Sequence, residues 1–549
     1  MLYRSSLAFL FYLIVNILHA QPLSPRHEFT HADTIRGTIT PERAWWDVTE
    51  YDLEVKFDFD TKSMTGCNKI SYKVISVPVA EMQIDLQVGL NIDSVISENH
   101  TLSFRRDGNA YFVKMPFMQN PGDLGKVAVY YSGVPRPAIR PPWDGGVIWA
   151  KDENGNPWIS VACQGLGASV WYPCKDHQSD EPDHTLLNII TPDSLVAVGN
   201  GRLKNTVNNM DGTTTYTWEV VNPINNYNII PYIGKYAHWH ETYAGEKGNL
   251  DCDYWVLDYN LEKAKKQFIQ AREMLQCFEH WFGPYPFYED GFKLVESPHL
   301  GMEHQSAIAY GNRFENGYLG NDLSESGWGL KWDFILVHES GHEWFGNNIT
   351  TKDVADMWVH ESFTNYSETL FTTCKFGAEA GNDYVIGTRK RIQNDIPIQG
   401  PPGVNQEGSG DMYYKGGNLV HLIRQIINND SLFRSILRGI NEEFYHKTID
   451  GKDLEEYINK RSGVDFSKVF DQYLRTTQIP VLEYRIKRKT LTYRWTNTVD
   501  GFDMPVKVNF YGQQWLHPGT GWKSLKVKSK GDPAFSVDRN FYIKTKHVD

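Results

Sequence analysis

Two histidines four residues apart, with a glutamate directly after the first, stand at the centre of the chain. His338-Glu339-Ser340-Gly341-His342 lies within LKWDFILVHESGHEWFGN. Phe334, Ile335, Val337 and Phe345 recur at roughly helical spacing and Gly346-Asn347-Asn348 follows as a stop signal, so the spacing predicts a helix over 332–345. Residues four apart on a helix share a face, which directs both imidazoles at one point and leaves Glu339 beside them. Two imidazoles so placed can hold a divalent cation, and the adjacent carboxylate can take a proton from water.

A cation held this way needs a third protein ligand and one position left open. Glu361, in MWVHESFTNYSETLF, is separated from His342 by eighteen residues, enough for a turn, a connection and entry into a second helix. Phe363, Tyr366 and Leu370 mark that helix's buried side. Glu368 lies two turns beyond Glu361 on the same face, which suits a carboxylate that orients a ligand imidazole; an ordinary solvated glutamate fits the position equally well.

HESGHEWFGN, the eighteen-residue interval and ESFTNYSE together resemble the gluzincin aminopeptidases of the aminopeptidase N family. Leu300-Gly301-Met302-Glu303-His304-Gln305 is similar to that family's G-x-M-E-N exopeptidase motif, with His304 where Asn is usual. Tyr413-Tyr414-Lys415-Gly416 matches its Y-x-K-G. Cys163-Gln164-Gly165, ahead of Trp171-Tyr172-Pro173-Cys174-Lys175-Asp176, resembles the segment where a Gln or Glu precedes F-P-C-x-D; the family's Arg in that segment is replaced near Ser169.

The resemblance implies one Zn2+ per chain, held by His338, His342 and Glu361, with Glu339 as general base and Tyr413 stabilising the oxyanion. It implies further that Glu303 and Gln164, with Gly301 and Met302 on an edge strand, bind the free N-terminus of a peptide substrate, making the chain a zinc aminopeptidase. Two alternatives stay open. A thermolysin-type endopeptidase would use the same helices without needing Glu303, and an inactive peptide-binding protein would need neither Glu339 nor Tyr413.

The elements that must position these residues divide the chain into an α+β multidomain arrangement. Residues 1–20 read as a signal peptide: Arg4 precedes the apolar run LAFLFYLIVNIL, and Ala20 precedes Gln21-Pro22. The run is short for spanning, so the expectation is an exported, bacterial product with no stable membrane insertion after cleavage. Residues 21–240 alternate apolar and polar in short runs and predict an all-β domain. Longer helical periods over 241–477 fit the thermolysin-like catalytic domain that the resemblance implies, with one helix expected over 261–282 and another over 412–427. Residues 478–549 alternate again and predict a small β-sandwich. Larger members of the family continue into a helical domain over the cleft; with none read here, the expectation is a more open site or one covered by a partner subunit.

Composition narrows the remaining choices. A formal charge of -12 gives no reason to expect nucleic-acid binding. Six cysteines show no metal-type spacing, and their pairing is not readable from sequence. The sequons at Asn348 and Asn365 flank the metal helices, where a glycan would obstruct packing, so they are expected to be unused. His238 and His240 share a strand face but lack a third ligand. The Pro/Gly-rich loop over 136–146 reads as a pocket edge or as a plain surface connection.

Overall fold

The computed structural model describes residues 29–115, 119–527 and 534–549. The expected signal segment, 1–20, lies outside them. Among the described residues no helix is long and apolar enough to cross a membrane.

The first region is built of strands, as the alternation predicts. The strand Trp46–Asp58 buries Tyr51, Leu53, Val55 and Phe57 while Glu54 and Lys56 face out. It pairs antiparallel with Ser63–Val74 and parallel with His184–Pro192 in an eight-stranded sheet, accompanied by sheets of four and three strands.

A five-stranded sheet follows. Its strands are β1 (Tyr236–Gly245), β2 (Gly248–Leu257), β3 (Phe292–Glu296), β4 (Gly301–Met302) and β5 (Ile308–Tyr310), in the spatial order β1-β2-β3-β5-β4. The boundary expected at 240 and 241 therefore falls inside β1. Every residue of β3 is buried because the sheet is covered on both faces: Leu294 joins the core of the helical region, while its neighbour Val295 joins the core of the first region. Lys293, on the same strand, fixes the two regions to each other. Its buried ammonium donates to the carbonyls of Gly199 at 3.0 Å, Gly201 at 2.6 Å and Ser306 at 3.0 Å, one acceptor for each of its protons.

Four helices carry or brace His338, His342 and Glu361: α1 (Ile269–Phe282), α2 (Phe334–Gly341), α3 (Trp358–Phe376) and α4 (Tyr414–Ile427). The single helix expected over 261–282 is broken, because Phe268 leaves the helical path and packs edge-on to Tyr310 at 4.7 Å. A disulfide between Cys277 on α1 and Cys374 on α3 ties these two helices together; the other four cysteines are free and buried. The C-terminal strands form a four-stranded and a three-stranded sheet whose Trp495 and Val506 share a core with Tyr473 and Leu474 of the helical region.

Candidate functional site

Helix α2 starts two residues later than its apolar spacing suggests. Asp333 caps it, accepting from Leu336 N at 3.2 Å, and all eight residues of α2 are buried, so the pattern carries little information about where it begins. Its end is equally specific. The chain then kinks within Glu343–Asn347, where Phe345 and Gly346 leave the helical region and Gly346 takes φ 126°. That kink directs the Phe345 carbonyl back to His342 Nδ1 at 3.0 Å. A side chain at Gly346 would be strained by its φ, and its Cβ would meet the same nitrogen at 3.2 Å.

Each imidazole is thus held through one nitrogen. His338 Nδ1 bonds Glu368 Oε1 at 2.7 Å, and Glu368 is fixed in turn by Asn365 Nδ2 at 3.0 Å and the Tyr384 hydroxyl at 2.6 Å. His342 Nδ1 is satisfied by the Phe345 carbonyl and by Thr364 Oγ1 at 3.2 Å. With Nδ1 acting as donor in both rings, the Nε2 lone pairs face inward.

Glu361 Oε2 lies 3.4 Å from His342 Nε2 and 3.9 Å from His338 Nε2. Three ligands at bond lengths of about 2.0–2.1 Å in a tetrahedron stand roughly 3.3 Å apart, so this spacing fits a zinc-sized cation. Glu339 also presents an oxygen within 4.8 Å of both rings, so proximity alone leaves two carboxylates in contention. Glu361 is set apart by its Oε2, which is buried and makes no hydrogen bond of ordinary geometry beyond its long contact with His342. The charges point the same way. Burial raises Glu303, and raises Glu339 to about 7; burial opposes charge on His342, yet Glu361 and Glu303 overcome it and hold that ring up at about 10. Three carboxylates beside two imidazoles in a dry cavity form a set that a divalent cation would compensate.

The amine-binding residues expected at the edge strand lie in the same cavity. Glu303 is 3 % exposed, and its Oε1 accepts from Gln164 Nε2 at 2.5 Å and from the Tyr227 hydroxyl at 2.9 Å. Its backbone carbonyl accepts from Asn347 Nδ2 at 2.8 Å, which locks the motif onto the turn after α2. His304 points away into the first region, where its Nδ1 bonds the Tyr232 hydroxyl, so the departure from the usual Asn is accommodated outside the cavity. Met302 is 5 % exposed and lines the cavity beside Gly301.

Tyr413 immediately precedes α4, and its ring stacks near that of His338 at 6.0 Å. The Gly416-Gly417 pair lets α4 approach α3 closely: a Cβ at Gly416 would stand 1.9 Å from Ser362 Oγ, and one at Gly417 would stand 2.2 Å from Asn365 Oδ1. The Pro/Gly-rich loop edges the cavity through Pro142 and Trp143. His238 and His240 instead bond Asp253 Oδ1, at 2.8 and 3.3 Å, and belong to no metal-sized group among the described residues. Asn348 and Asn365 are 1 % and 3 % exposed, leaving no room for a glycan.

Sequence reasoning missed several contributors. Tyr227 and Tyr384 lie in no recognisable motif. Arg36, from the short helix His31–Gly37, donates to the Gly165 carbonyl at 2.6 Å, and its guanidinium stands 3.7 Å from Asp176, whose Oδ2 also accepts from Ser169 Oγ at 2.5 Å. The Gln164 turn is therefore braced by a cation from a distant part of the chain. Only its guanidinium chemistry hints at such a role.

Residues 266–473 match the Peptidase family M1 domain. Aminopeptidase B of Mus musculus is 24 % identical over 364 residues, 61 % of this chain and 52 % of that protein. Probable aminopeptidase 2 of Sulfurisphaera tokodaii is 21 % identical over 457 residues, 79 % of this chain and 54 % of that protein. The chain thus spans about half the length of these curated relatives. The crystal structure of an M1 zinc metallopeptidase from Deinococcus radiodurans superposes with a TM-score of 0.64 at 18 % identity, covering 76 % of this chain and 91 % of that one. That likeness matches the observed order of a β region, a helical catalytic region and C-terminal strands.

Proposed function

Taking residues 266–473 as a Peptidase family M1 domain, we propose that this chain is a zinc aminopeptidase that removes the first residue of peptides. The observation that carries the reading is the shared cavity. The Glu303 carboxylate, with Gln164 and Tyr227 on it, faces the same space as His338, His342 and Glu361. An endopeptidase has no use for a buried anion one residue away from the cutting point.

Zinc on His338, His342 and Glu361 would supply Lewis-acid polarisation of water and of the scissile carbonyl. Glu339 takes the proton of the attacking water and hands it to the departing amine. The Tyr413 hydroxyl donates to the carbonyl oxygen as negative charge develops there, a contact of the type worth about 3–4 kcal/mol when removed. Glu303 holds the substrate's ammonium by a charge-assisted hydrogen bond and so fixes the first peptide bond in register. Glu368 and the Phe345 carbonyl keep both imidazoles turned toward the cation.

The test is a panel of aminoacyl arylamides with and without chelator, run beside N-acetylated peptides. Arylamide turnover that stops with chelator and returns with zinc is expected, together with inert acetylated substrates; efficient cleavage of the acetylated peptides would overturn the aminopeptidase reading in favour of an endopeptidase. For location we propose export. The apolar segment in 1–20 supports it, and so does the Cys277–Cys374 disulfide, a bond that persists in oxidising compartments.

A further inference from the structure

Beside the catalytic cavity lies a second, larger depression between the first region and the five-stranded sheet. The two share Leu300 as a wall and take the neighbouring residues Pro142 and Pro141 as their rims. The groove is the roomier and more open of the two spaces. The smaller space suits the first residue of a substrate. Whatever follows the cut has to leave it.

The direction of exit follows from the edge strand and rests on the aminopeptidase reading. Glu303 holds the amino end, and β4 is the open edge of its sheet, so an extended substrate lies along β4. With its amino end at Glu303, the rest of the peptide runs backward past Met302 and Gly301. It then crosses Leu300 and reaches His299, which lines the groove.

The groove walls carry three cations that no carboxylate contacts directly. The side chains of Lys151, Lys263 and Arg313 are exposed and make no hydrogen bond or ion pair among the described residues, and Lys263 acts on Glu296 only through its charge at longer range. Two of the carboxylates on the same walls are already committed. Asp152 accepts from Asn154 N at 2.9 Å, Asn156 N at 2.8 Å and Asn156 Nδ2 at 2.9 Å, and Glu296 accepts from Leu257 N at 2.8 Å and Asn260 Nδ2 at 2.7 Å. The other two, Glu153 and Glu315, are exposed to solvent. Arg313 also sits on a left-handed pair, with φ 58° and φ 60° at Arg313 and Phe314, a conformation that side chains larger than glycine adopt at a cost and that gathers at binding sites.

We propose that this groove receives the substrate beyond the cut, and that Arg313, assisted by Lys151 and Lys263, holds the free C-terminal carboxylate of short oligopeptides. The chain is then a peptidase for oligopeptides, with dipeptides and aminoacyl amides as poorer substrates. Arg313 contributes the planar fork suited to a carboxylate, and the two lysines offset the carboxylates Asp152, Glu153, Glu296 and Glu315 of the same lining.

The experiment compares kcat/KM for Leu-(Ala)n peptides of two to six residues, as free acids and as C-terminal amides, in the zinc-loaded wild type and in Arg313→Ala and Arg313→Glu. Expected is a ratio of about tenfold between the best oligopeptide and the dipeptide, a several-fold fall on amidation, and a ratio that drops toward one in Arg313→Ala. Arg313→Glu should invert the preference so that amides are cleaved faster than acids. Calorimetric titration of the same peptides into Glu339→Gln gives the corresponding affinities with no cleavage. A flat length profile in the wild type, or an acid preference that survives in Arg313→Glu, overturns the proposal while arylamide turnover leaves the aminopeptidase reading standing. A zinc-loaded wild type that cleaves neither arylamide nor peptide removes both.

Discussion

A Cβ on Gly301 would stand 2.6 Å from Oε1 of Glu339. The strand that carries the amine anchor therefore passes so close to the expected base that only a hydrogen fits between them. Gly301→Ala should push the Glu339 carboxylate aside by a fraction of an ångström to an ångström, and displacement on that scale costs about 10²-fold in rate. Zinc content should stay near wild type, while crowding of Ile335 Cγ2, 2.9 Å from the same Cβ, lowers stability by about 1–3 kcal/mol. A variant with full kcat would show that Glu339 tolerates displacement and is not the group that moves the proton.

The second expectation concerns metal retention. Glu368 touches His338 and not the cation position, yet it sets the ring's tautomer and direction. Glu368→Ala should weaken zinc affinity by about 10–100-fold in a chelator competition, and Tyr384→Phe, which removes one bond to the same carboxylate, should weaken it less. Unchanged affinity in both variants would return Glu368 to the role of a structural carboxylate.

A third follows from the disulfide. Cys277 and Cys374 are 97 residues apart in sequence, so the bond closes a long loop in the unfolded chain. Reduction, or the double change Cys277→Ser with Cys374→Ser, should cost about 2–5 kcal/mol in urea unfolding. The free thiols are buried and should stay unreactive until the fold opens.

Asp333 provides a pH-dependent case. Burial pushes its carboxyl up to about 6, although the Tyr310 hydroxyl and Gln267 Nε2 donate to it at 2.6 and 2.7 Å and pull the other way. The folded state then binds the proton more tightly than the unfolded state, whose carboxyl titrates near ~3.9. Its contribution is complete below about pH 4 and is lost as pH rises through about 6. Since Asp333→Asn does not titrate, the stability advantage of the wild type over the variant should shrink by on the order of 2–3 kcal/mol between pH 4 and 7. A constant difference would mean that the donors keep Asp333 ionised throughout.

The meeting of the residues expected to hold a metal was legible because its signals are local. The interval of four within α2 and the eighteen-residue interval to α3 bring His338, His342 and Glu361 together wherever those two helices pack. Gln164 was found only through its flanking motif, since it meets Glu303 across 139 positions of sequence. Arg36, Tyr227 and the Phe345 carbonyl gave no such signal: two arrive from remote segments, and the third is a backbone group aimed by one glycine. The misplaced helix ends have a related cause. A helix buried on every side has no polar face from which its limits can be read, and the break at Phe268 serves tertiary packing that no window of sequence contains.

The bond from Lys293 to Gly199 and Gly201 joins two halves of one instrument. The half after residue 235 supplies His338, His342, Glu361 and Glu303, while the half before it supplies the Gln164 and Tyr227 groups that steady the Glu303 carboxylate. Severed from its neighbour, the helical half would keep a blade and lose the stop that measures where to cut. Register at the proposed amine pocket thus depends on two architecturally separate regions staying clasped together.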